Sequence, residues 1–247
     1  MQFILKEKEN YSLGIKELDE AIGGIKKGSN IMLIGPSMCG KEVILNHAMQ
    51  GSLTGIENAA IIVTTREPAM HMMQRLKRNK SCSLLSKIGF VDCVSKSIQH
   101  ETVENGNIRI VISPADLTSI GVKISQFIQD FFVKRNIQKI QVHFNSLSII
   151  LMYSNTQTVF RFLHILTGRI KEMGALGIYV VDSGVHSQQT IATMKQLCDG
   201  IIEVKFENDR NFIRIVGLSS LPTSWFEYKI EGEKLEIIGK KTSSLDQ

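Results

Sequence analysis

The stretch Gly35-Pro36-Ser37-Met38-Cys39-Gly40-Lys41-Glu42 spaces two glycines and a lysine as a phosphate-binding loop does. In such a loop, backbone N–H groups point at an anion, and the dipole of the following helix favours negative charge there. Lys41 would reach the β- and γ-phosphates of a nucleotide. The next position normally carries a Ser or Thr hydroxyl that ligates magnesium, and here it is Glu42. The residue types point to ATP or ADP with Mg2+, held by Gly35, Pro36, Ser37, Met38, Cys39, Gly40, Lys41, Glu42 and Val43. The loop must lie between a buried strand and a helix start. The apolar run Asn30-Ile31-Met32-Leu33-Ile34 reads as that strand, and Val43 to Met49 reads as that helix.

Glu42 admits two readings. Hard cations favour oxygen ligands, so its carboxylate can contact magnesium directly. Without a metal it lies among phosphate oxygens, where like charges about 4 Å apart repel by several kcal/mol at a partly buried site. Glu42 would then pair with Lys41 or Arg66, and the site would be empty. Asp182-Ser183-Gly184 ends another core strand, at the edge where open α/β sheets bind ligands. Asp182 or Ser183 is placed either to sense the γ-phosphate or to cap a turn. Cys39 is near a helix N-terminus, where a thiol pKa can fall, or it is simply a small packing residue. His143 reads as a satisfied core or edge histidine rather than a ligand. Met70, Met72 and Met73 read as core filler.

The chain has 247 residues, net charge +5 and 43% hydrophobic residues. That suits one large α/β domain with a real core, residues 1–239, followed by a frayed tail, residues 240–247. No run approaches a membrane span, and Met1 to Asn10 carries charges. The four cysteines Cys39, Cys82, Cys93 and Cys198 show no paired metal spacing and read as reduced thiols of a cytoplasmic protein. The positive balance permits nucleic-acid contact without requiring it. Arg75-Leu76-Lys77-Arg78-Asn79-Lys80, the densest basic stretch, reads as a helix end whose cations complement the dipole.

Strand-like runs are Ile31–Ile34, Ala60–Thr64, Ile88–Asp92, Ile108–Ile112, Ile140–Phe144 and Ile178–Asp182. Helix-like runs are Val43–Met49, Ala69–Arg78, Leu117–Val133 and Val159–Met173, with Thr158 as a cap for the last. The alternation argues for a mostly parallel sheet covered on both faces. After a helical Thr190–Leu197 the pattern changes. Gly200–Phe206, Asn211–Gly217, Phe226–Ile230 and Leu235–Ile238 read as short strands separated by turns, an antiparallel extension of the same sheet.

These motifs in this order resemble the KaiC-like branch of the RecA superfamily. Gly14-Ile15, Leu18-Asp19, Gly23-Gly24-Ile25 and Gly28 are similar to that family's approach to its phosphate loop. Thr64-Thr65-Arg66-Glu67 sits where the family places an acidic pair. Ile140 to Leu147 resembles its second nucleotide motif, an apolar strand ending in Asp-Ser. Cys198-Asp199-Gly200-Ile201-Ile202 resembles its late Asp-Gly-hydrophobic strand. The likeness runs from Tyr11 to Ile238 and implies a RecA-like P-loop fold, nucleotide with Mg2+, and a ring or other homo-oligomer.

Against that pattern, several functional positions are altered. Glu42 replaces the magnesium-binding hydroxyl, and Asn145 replaces the Asp that supports the metal from the second motif. Arg66 replaces the first acid of the pair that activates water, leaving Glu67 as the candidate base. The family's basic pair would fall near Ile215-Val216-Gly217-Leu218, and neither basic residue is there. Arg66 stays protonated and cannot act as a base. Loss of a transition-state arginine removes about 10³–10⁵-fold where such groups operate. The expectation is an ATP- or ADP-binding regulatory or scaffold protein, with a protein partner and slow or absent hydrolysis. The rivals are a working ATPase linked to signalling or DNA repair, and a structural module that binds no nucleotide.

Overall fold

The computed structural model describes residues 10–53, 57–78, 82–98 and 104–240. Asn79, Lys80 and the expected tail beyond Lys240 lie outside the described residues, and Lys240 itself is the last residue of a strand. The strands are β1 (Asn30–Gly35), β2 (Asn58–Thr64), β3 (Ile88–Asp92), β4 (Ile108–Ile110), β5 (Lys139–Phe144), β6 (Leu176–Asp182), β7 (Gly200–Glu207), β8 (Arg210–Val216), β9 (Phe226–Glu231) and β10 (Lys234–Lys240). The α-helices are α1 (Lys16–Ile22), α2 (Lys41–Ser52), α3 (Ala69–Arg78), α4 (Ser95–Ile98), α5 (Leu117–Ile128), α6 (Leu147–Tyr153), α7 (Thr156–Glu172) and α8 (Gln188–Lys195).

All ten strands join one sheet in the order β10-β9-β8-β7-β1-β6-β5-β2-β3-β4. Pairings from β7 through β4 are parallel, whereas β7–β8, β8–β9 and β9–β10 are antiparallel. The expected α/β class, with its antiparallel C-terminal extension, is therefore present. The turns form where the residues tolerate positive φ: Asn208 and Asp209 between β7 and β8, and Gly232 between β9 and β10.

Strand alternation assigns each side chain to a face. In β1, Ile31 and Leu33 join the cluster formed with α1 and α2, while Met32 joins the cluster under α5, α6 and α7. In β6, Ile178 and Val180 face the first group, Tyr179 and Val181 the second. Met72 and Met73 are core residues of a third cluster with β2 and β3, whereas Met70 is exposed.

Met70 thus departs from the core-filler expectation, and three further expectations need correction. The run Leu117–Val133 is not one regular helix, because α5 ends at Ile128 and a π-turn carries Gln129–Lys134. Thr158 does not cap α7; Asn155 does, its side-chain oxygen accepting from the Thr158 N–H at 2.9 Å. The strand expected to reach Ile112 stops at Ile110. The lead-in motif has a packing role. Asp19 accepts hydrogen bonds from Ser12, Leu13 and Gly14. Gly14, at φ +70°, lies so close to α2 that a Cβ would sit 2.3 Å from the His47 carbonyl oxygen.

Candidate functional site

The carboxyl ends of β1, β6, β5 and β2 lie side by side, and the candidate residues leave from them. The loop Pro36–Gly40 joins β1 to α2. Gly40 caps the helix at φ +78° with no side-chain cap, and Met38 at φ +61° is fully exposed. The first N–H groups of a helix have no intrahelical partner, so an uncapped start presents donors to an anion. The Val43 N–H turns back to the Gly40 carbonyl at 2.9 Å.

Lys41 is buried. Its ammonium donates to the Gly35 carbonyl at 2.9 Å and to that of Pro36, and it lies 3.0 Å from Oδ1 of Asp182. The contact is a buried, charge-assisted ion pair. The register explains the proximity, because Asp182 stands opposite Gly35 on the neighbouring strand. Arg66 Nη2 donates to Asp182 Oδ2 at 2.6 Å, and Arg66 Nη1 lies 3.6 Å from Glu42 Oε1. Lys41, Asp182, Arg66 and Glu42 thus form a chain of alternating charge. Burial would raise the Asp182 carboxyl, but Lys41 and Arg66 outweigh it and hold the group below its ordinary range. The Ser183 N–H bonds to the Gly35 carbonyl at 2.8 Å, a sheet contact.

Asn145 is fully engaged. Its side-chain oxygen accepts from the Thr65 N–H at 2.9 Å and the Thr65 hydroxyl at 3.1 Å, and its amide donates to Thr64 Oγ1 at 3.2 Å. The residue is a strut between the ends of β2 and β5. Glu67 lies in the bend beyond β2, and Arg75 grips both its oxygens at 2.6 and 3.1 Å. The basic stretch therefore does close α3, with Arg75 in its last turn.

These positions do not fit a magnesium ion as they stand. Glu42 faces a guanidinium, Asn145 has no free oxygen to offer a metal's water, and among the described residues no three His, Cys, Asp or Glu side chains gather as a metal site. A phosphate would meet the uncapped start of α2, and to reach Lys41 it would have to displace Asp182.

The C-terminal extension also touches the loop, which no local sequence signal announces. The Tyr228 hydroxyl donates to the Cys39 carbonyl at 2.6 Å, and a Cβ on Gly40 would lie 2.0 Å from Ile230 Cδ1. The Leu235 N–H donates to His47 Nε2 at 3.2 Å. Burial raises the Cys39 thiol despite nearby Lys41, which makes it a packing residue rather than a thiolate. His143 is buried beside Gln141, and burial alone lowers its ring to about 3. Among the described residues no helix is long and apolar enough to cross a membrane.

Residues 28–204 match the family described as "Family of unknown function (DUF7504)". No curated protein sequence matches the chain. Among solved structures, the KaiC-like protein PH0186 from the hyperthermophilic archaeon Pyrococcus horikoshii OT3 is similar in fold, with a TM-score of 0.68 at 14% identity, covering 92% of this chain and 98% of that one. The RecA-like α/β architecture is shared at that level.

Proposed function

The chain belongs to the family of unknown function DUF7504, and from that premise we propose that it binds ATP or ADP in the β1–α2 loop as a regulatory or scaffold protein with little or no hydrolysis. The observation that carries this reading is the built loop: a left-handed, uncapped Gly40 opening α2, with the Lys41 ammonium buried beside it. Lys41 is already paired with Asp182 in the ligand-free fold, so phosphate binding here is an exchange of one anionic partner for another. Among the described residues the strands form one sheet that runs from Asn30 to Lys240, which supports reading them as one domain.

The hydrolysis arm is weak for a stated reason. Arg66 cannot take a proton, and Glu67 is held by Arg75. Assembly into a ring would need contacts other than the usual basic pair, since Ile215 is buried and Gly217 is a turn residue at φ +86°.

The test is thermal. At ligand about a hundred times Kd, binding adds about 2.7 kcal/mol, which for a domain of this size raises Tm by about 5–10 °C. ATP and ADP are expected to do so for the wild type and not for Lys41→Ala. Phosphate release is expected to stay at the Lys41→Ala background. No thermal shift would favour the structural module, and turnover above background would favour the ATPase.

A further inference from the structure

Resting on that nucleotide reading, we infer that Arg66 stands in for the divalent metal, so that nucleoside phosphate binds here without magnesium. The guanidinium lies between two carboxylates, 2.6 Å from Asp182 Oδ2 and 3.6 Å from Glu42 Oε1. Asp182 is the carboxylate that also pairs with Lys41. Arg66 and Lys41 thus share one carboxylate, and Arg66 supplies the positive charge that Glu42 faces.

The oxygen donors of a metal site have been spent elsewhere. Asn145 uses its side-chain oxygen on two Thr65 donors and its amide on Thr64. Glu42 remains as one carboxylate, with a permanent cation already beside it. A divalent ion placed on Glu42 would meet that cation at short range and would need a ligand set that the site does not supply.

Arg66 is equipped for the replacement. Its planar fork matches phosphate oxygens bidentately. About a third of its side chain is exposed, against 4% for Lys41. Phosphate would compete with Asp182 and Glu42 for Lys41 and Arg66. Arg66 is in this sense a ligand-contacting residue, and its effect should appear in affinity and metal dependence together.

The experiment is calorimetric titration of the full chain with ADP and with ATP, in excess MgCl2 and in excess EDTA. Dissociation constants in the two buffers are expected to agree within about threefold, and Arg66→Ala is expected to weaken binding about tenfold or more in EDTA. Arg66→Lys should recover part of the loss, since it keeps the charge without the fork. If Arg66→Ala does not fold, Arg66→Gln makes the same comparison. A loss beyond threefold in EDTA, or an Arg66 variant that binds like the wild type, overturns the inference while the nucleotide reading stands. Binding in neither buffer overturns both.

Discussion

The Lys41 ammonium and the Asp182 carboxylate lie 3.0 Å apart, both almost fully removed from solvent. The lysine that would meet phosphate is thus already neutralised by the protein. It also donates to two carbonyls of its own loop, Gly35 and Pro36. Any incoming phosphate must take Lys41 from Asp182, so the occupied and empty loops differ in the partner of one buried charge. Tyr228 and Ile230 lie against that loop.

Asp182→Asn removes the competing anion. Nucleotide affinity is expected to rise about tenfold or more, because one nearby negative charge no longer opposes the phosphates. The ligand-free protein is expected to melt lower at neutral pH, since Lys41 and Arg66 lose their shared partner. The sign of the pH effect follows from the lowered Asp182 carboxyl. Its contribution is present above the ordinary carboxylate range and is lost as pH falls through the folded value, so the gap between wild type and variant should close in acid. Titration calorimetry and melting curves against pH measure both effects.

His143 governs a different window. Its ring stays neutral in the fold down to about 3, against an ordinary 6.5. Between those values the unfolded chain binds a proton that the folded chain does not. Stability is therefore expected to fall as pH drops through the window, with a slope approaching about 1.4 kcal/mol per pH unit. His143→Gln should flatten that slope, as read from urea midpoints at several pH values.

Asn145→Ala leaves the buried Thr65 N–H without its acceptor, and is expected to cost about 1–3 kcal/mol in chemical denaturation. Asn145→Asp keeps the acceptor but sets a second oxygen against Thr64 Oγ1. It should destabilise less than Ala, and it should not create phosphate release, because Glu67 remains bound to Arg75.

Gly40→Ala is expected to destabilise the protein by about 1–3 kcal/mol through its left-handed backbone. The new Cβ would also press on Ile230, so adding Ile230→Ala should restore part of the loss and no more. Nucleotide-induced thermal shifts should be reduced in both variants.

Much of the architecture was legible because the chain is locally consistent. Alternating strands and helices announce a parallel sheet, and Gly35, Gly40 and Lys41 announce the loop. The short helix α6 is hidden in the sequence because its N-cap, Ser146, falls inside a motif that reads as a strand end. The pairing of Lys41 with Asp182 could not be read, since it depends on β6 lying next to β1. The same holds for Tyr228 and Ile230, which reach the loop only through the sheet order. Glu67 was named as a candidate base from its position in a motif, and its partner Arg75, one helix later, had no signal to reveal it. The fate of Asn145 depended on hydroxyls, Thr64 and Thr65, that look unremarkable in sequence.

Equilibrium binding of ADP to the wild type and to Lys41→Ala, under identical conditions, bears most directly on the anion cradle. Saturable one-site binding by the wild type, lost in the variant while its fold persists, is the outcome the structure leads us to expect. Equal binding by the two proteins, or none by either, would contradict it.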